Sequence, residues 1–201
     1  MPIICKSVPD EYSALAQSVV LRLAGTGGPK QTFLAGRQIE ELSLGFPQHI
    51  HWLGRKRLLA GGAWNDCIAE GGWRFLLIGD GTVIGAISVW DSERELRWSI
   101  YWGGWATATA DAVLIASQRQ AVVETPLEPR FLRVRTLNQG ALWLCPADGQ
   151  PGIVIPLPDT APPLQSLTLV TQDYYLEAVR DQLRVRAKSD RGDADDTRPP
   201  G

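Results

Sequence analysis

Histidine, methionine and cysteine are scarce in this chain of 201 residues, numbering two, one and three. Two histidines cannot make a three-histidine metal site, and no HExxH or CxxC spacing accompanies them. The cysteines, Cys5, Cys67 and Cys145, are odd in number and far apart. That is a poor disulfide framework and fits a reducing compartment. An excess of one charge is missing too. Twenty basic residues stand against 22 acidic ones, a net charge of −2, which gives no global attraction to nucleic acid or to an anionic membrane. No apolar run reaches the roughly 18–20 residues of a membrane-spanning helix. The opening MPIICKSVPDEYSAL lacks a basic segment followed by a long apolar stretch, so no secretory signal is expected and the chain reads as cytosolic. There is no GxSxG elbow, and GTGGPK at 25–30 fails the phosphate-loop pattern because its lysine follows proline. No cofactor is implied.

Apolar residues are plentiful, at 44%, enough for a core that needs no metal or disulfide staple. The length suits a single α+β domain over 1–187. Beyond it, KSDRGDADDTRPPG has no apolar residue larger than alanine or proline, and 188–201 is expected to be a disordered tail.

Helical spacing of Tyr12, Leu15, Ala16, Val19 and Leu23 predicts a first helix over 7–24, capped by Ser7. Residues 31–63 are ambiguous, apart from a short strand in FPQHIHWLG and a helical turn in RKRLLAGG. WRFLLIG and TVIGAISVW flank Asp80-Gly81, a strong hairpin signature. RWSIYW follows as a third strand, ended by Gly103-Gly104. A central helix over 105–122 should bury Ala106, Ala110, Val113, Leu114 and Ser117. RFLRVRT, ALWLC and GIVIPL read as three further strands. The proline-rich PLPDTAPP is a connector, and Thr171 caps a closing helix with Tyr175, Leu176, Val179 and Leu183 on one face. The expected fold is therefore α+β, a mostly antiparallel sheet of about six strands packed by N-terminal, central and C-terminal helices.

The chemically loudest stretch is WSIYWGGWATATADAVLIAS, 98–117. On a strand, Trp98 and Trp102 share one face and Tyr101 points to the other. The rings are expected to be a seam against the small residues of the central helix. The competing reading makes Trp98, Tyr101 and Trp102 a binding surface. Arg133 and Arg135, two apart on a strand with Phe131, would lie about 6–7 Å apart and could grip one anion.

His49 and His51, at i and i+2, share a strand face and are the candidate metal ligands, with Asp66 or Cys67 as a third. Cys67 is also the better candidate nucleophile, since Cys145 lies in an apolar strand. Three functions follow. The leading expectation is a non-catalytic cytosolic binding protein, an adaptor, inhibitor or immunity-like protein whose partner is another protein. The alternative is a small-molecule sensor or carrier with a Trp-lined pocket. The third is a hydrolase using Cys67 or the His49/His51 pair.

Overall fold

The computed structural model describes residues 3, 5–25, 42–93, 95–120, 126–147 and 150–195. Residues 26–30 of the connector and all of 31–41, the first part of the ambiguous 31–63 stretch, lie outside them. Helix α1 (Asp10–Gly25) leads to strand β1 (Leu42–Leu53) and two short helices, α2 (Arg55–Leu59) and α3 (Trp64–Cys67). Strands β2 (Ile68–Gly79), β3 (Thr82–Ser92) and β4 (Glu95–Trp102) follow, then helix α4 (Gly104–Gln120). Strands β5 (Leu127–Val134), β6 (Gln139–Pro146), β7 (Ile153–Pro156) and β8 (Val170–Thr171) precede helix α5 (Gln172–Asp195).

The fold is α+β, with helices packed on a mostly antiparallel sheet in the order β4-β3-β2-β1-β5-β6-β7-β8. The eight described strands exceed the expected six by β1, read only as a short strand in the ambiguous stretch, and by β8, a two-residue ladder at the edge. Asp80 and Gly81 both take positive φ, 50° and 71°, which matches the right-handed twist of the β2–β3 strands they join. Two antiparallel meanders, β1 to β4 and β5 to β8, meet where β1 pairs with β5 in parallel, His49 opposite Arg130 through Trp52 opposite Arg133. A parallel pair needs a long crossover, and α4 supplies it by running across the sheet face.

Alternation along the strands sends neighbouring side chains to opposite layers. On one face, α1 buries Tyr12, Ala16, Val19 and Val20 against Trp73, Phe75, Leu77, Ile87 and Val89. On the same face, α5 buries Tyr175, Leu176, Val179 and Leu183 against Leu132, Val134 and Trp143. A row of rings joins these two cores: Trp73 stacks on His49, His49 meets His51 at 4.6 Å, and His51 meets Trp143 at 5.3 Å. The opposite face carries α4, whose Ala108, Ala112 and Ala116 lie on Ile50, Phe131, Leu142 and Ile155.

The N-terminal helix starts at Asp10, later than Ser7, and the closing helix is capped as expected, the Tyr174 N–H donating to the Thr171 hydroxyl at 3.3 Å. That helix continues through Ala187 to Asp195, so the boundary placed at Ala187 falls inside it; residues 196–201 lie outside the described residues. The phase of α4 also differs from expectation. Its buried positions are Ala106, Ala108, Thr109, Ala112 and Ala116, while Leu114 is 57% exposed. Alanine-rich helices give little hydrophobic contrast between faces, so the spacing of larger residues misled the assignment. Overfilling the true contact with Ala112→Leu is expected to cost about 1–3 kcal/mol. Ala110→Leu, only half-buried, should cost about 0.5 kcal/mol or less. Urea denaturation midpoints check both; equal costs would refute this phase.

Candidate functional site

A cavity of about 320 Å³ lies between the N-terminal end of α4 and the sheet, over the joint of the two meanders. Trp52 reaches it from β1, Arg74 from β2, Trp90 from β3, Tyr101 from β4, Trp105 from α4 and Phe131 and Arg133 from β5. Arg135, in the 3-10 turn Arg135–Leu137 after β5, completes the rim. Position 71 must be glycine for Trp52 to lie here, because a Cβ there would stand 1.8 Å from the indole nitrogen. The Trp105 indole is fixed from outside, donating to the Pro158 carbonyl at 3.1 Å and to Asp159 at 3.2 Å.

Arg74 is the floor. It is 1% exposed, and its guanidinium lies 4.1 Å over the Phe131 ring. It donates to Gln48 Oε1 at 3.1 Å, to the Thr109 hydroxyl at 2.9 Å and to the Trp105 carbonyl at 3.3 Å. All three acceptors are neutral. Burial, with the charge of Arg133 nearby, pushes its pKa down to about 9. Arg133 stacks 4.2 Å over Trp105 and 5.7 Å from Tyr101, donating to Asn138 Oδ1 at 3.1 Å. Its Nε–H is buried without a partner among the described residues. Burial again holds this arginine below its ordinary pKa, with Tyr101 opposing that effect. Arg135 is exposed and lies 5.5 Å over Trp52. Cationic groups over ring faces gain from the ring quadrupole, which helps keep each guanidinium in place.

The structure brings Tyr101, Arg133 and Arg135 together, as a cavity wall rather than a solvated sheet face. Arg135 does not share the strand face of Arg133, because β5 ends at Val134 and the chain turns. Trp98 and Trp102 point away from the cavity. Trp102 packs at the margin of the α1 core, and Trp98 is 41% exposed with Arg22 over its ring at 5.7 Å. The seam expected between these rings and α4 is thus a seam with α1, since strand alternation places Trp98 and Trp102 on the face opposite α4. Trp52, Arg74, Trp90, Trp105 and Phe131 were not expected at a site. The one available signal was Arg74 in WRFLLIG, a charge inside an otherwise apolar strand.

The other candidates lie elsewhere. Cys67 is buried in the α5 core, its thiol 3.3 Å from the Gly62 carbonyl. His51 is 4% exposed, and burial followed by the charge of His49 lowers its pKa to about 3. Among the described residues, no three His, Cys, Asp or Glu side chains gather as a metal set. Cys145 is half-buried on β6. A second cleft of about 440 Å³ opens beside the start of α1, sharing Trp52 and Trp90 with the first. It holds Lys6 and His49 beside Glu70 and Asp91, and Asp91 accepts the Tyr12 hydroxyl, so its charges are mixed in sign. Among the described residues no helix is long and apolar enough to cross a membrane. No protein-family model, no curated protein and no solved structure matches this chain.

Proposed function

We propose that the protein is a non-catalytic small-molecule sensor or carrier that takes its ligand into the cavity beneath Trp105. The observation that carries this reading is the wall. Four large aromatic side chains, Trp52, Trp90, Tyr101 and Trp105, converge from four different elements on one preformed space beside a few polar groups. Ligand sites have this mix of apolar walls and sparse, placed polar groups, and the volume lies at the lower end of the range of about 300–1,000 Å³. Among the described residues, the edge strand β4 exposes Trp98 and Tyr101 for the protein-interface reading, and Tyr101 belongs to the cavity wall. The other exposed large apolar residues of α1, α4 and α5, such as Leu21, Leu114, Tyr174 and Val185, are spread over helices on both sheet faces. A scattered set of that kind is ordinary surface.

A panel of small molecules scored by tryptophan emission and thermal shift tests the reading. At least one chemical class is expected to change both signals in the wild type, and Trp105→Ala should weaken that ligand about tenfold or more. A panel with no response, or a Trp105→Ala variant that binds as well as the wild type, would sink it.

A further inference from the structure

We propose that the ligand is a small aromatic carboxylate, its ring between the indole walls and its carboxylate carried inward to Arg74. The proposal rests on the cavity being a ligand site and adds the ligand's charge and shape. Arg74, Arg133 and Arg135 line one space, and among the described residues none of them is ion-paired with an acidic side chain. Burying a cation without a counter-charge costs several kcal/mol, so folded proteins rarely keep one unless something offsets it. Here the protein supplies only neutral acceptors and ring faces. Three of the five N–H donors of Arg74 are committed, which leaves two. Arg133 adds a buried Nε–H that has no partner among the described residues. Two cationic groups in one enclosure also repel each other. A single anion between them would relieve the repulsion and satisfy the spare donors together.

The shape follows from the stacking. Arg74 lies over Phe131, Arg133 over Trp105 and Arg135 over Trp52, so one flat face of each guanidinium is covered. On Arg74 the two uncommitted N–H donors lie in the guanidinium plane, the geometry in which a planar carboxylate accepts them. A bare inorganic anion would leave the indole walls without a partner. The cavity's modest volume favours a one- or two-ring acid over a ligand with sugar and several phosphates.

Isothermal titration of the full chain with 2-naphthoate, its neutral counterpart 2-naphthamide and inorganic phosphate tests the assignment. The naphthoate is expected to bind about tenfold or more tighter than the amide, and phosphate not to compete. Arg74→Met should erase the preference. Should that variant fail to fold, Arg133→Gln, at a half-exposed position, should weaken naphthoate by more than naphthamide. Equal affinities for acid and amide would overturn the charge assignment while leaving a working aromatic cavity. Phosphate displacing naphthoate at similar concentration would overturn the carboxylate. Binding of none of the three probes would end the proposal, and the broader panel would then judge the cavity on its own.

Discussion

Acidification from pH 7 to 4 is expected to remove roughly 2–3 kcal/mol of folding stability through His51 alone. Among the described residues, neither nitrogen of its buried ring has a hydrogen-bond partner, and the ring sits edge-on to both His49 and Trp143. Burial, then the neighbouring His49, lowers its pKa from 6.5 to about 3. The folded imidazole is therefore the weaker base, and between these values the unfolded chain binds the extra proton. Stability is fully present above about 6.5 and drains away as the pH falls toward 3, the reverse of a histidine that gains an acidic partner. The pKa of His49 is lowered as well, mainly by burial, so it titrates with the same sign. Urea midpoints at several pH values, for wild type and His51→Phe, isolate the effect from that of the carboxylates. A variant with the wild-type pH slope would show that His51 is not the responsible group.

Trp143→Ala is expected to cost about 3–5 kcal/mol. The side chain is 5% exposed and meets the Trp64 ring at 5.2 Å as well as His51. The Arg130 guanidinium covers it at 4.8 Å, and its indole N–H donates to Gln172 Oε1 at 2.9 Å, tying β6 to the start of α5. Truncation would open a void at the centre of the α5 core and remove one of the donors to Gln172. Trp143→Phe, which keeps a ring and loses the N–H, should cost about 1–2 kcal/mol. Chemical denaturation measures both. A wild-type midpoint for the alanine variant would mean that the row of rings from Trp73 to Trp143 does not hold the two cores together.

Local signals read well where one cause dominates. Asp80-Gly81 specifies its turn by backbone sterics, and Tyr175, Leu176, Val179 and Leu183 form so clean a stripe that the buried face of α5 was legible. The pairing of β1 with β5 was not legible, because a ladder between residues this far apart leaves no periodicity in either segment. The site was half legible for the same reason. Tyr101, Arg133 and Arg135 stood out as residue types, but what makes them a cavity is their meeting with Trp52, Trp90 and Trp105 from distant segments. Arg74 was a partial signal: a charge in a strand that reads as core, and only tertiary packing shows that it has no acidic partner among the described residues.

The parallel joint between the meanders has a kinetic consequence. Each meander closes through near neighbours in sequence, whereas His49 must find Arg130, a contact of high order that forms slowly. The cavity draws its wall from both sides of that joint, so it is expected to exist only once the joint has closed. A ligand there binds the finished fold and nothing earlier. By mass action it should add about 2.7 kcal/mol of apparent stability at a hundredfold excess over its Kd. That gain should appear as slower unfolding, with the folding rate left unchanged.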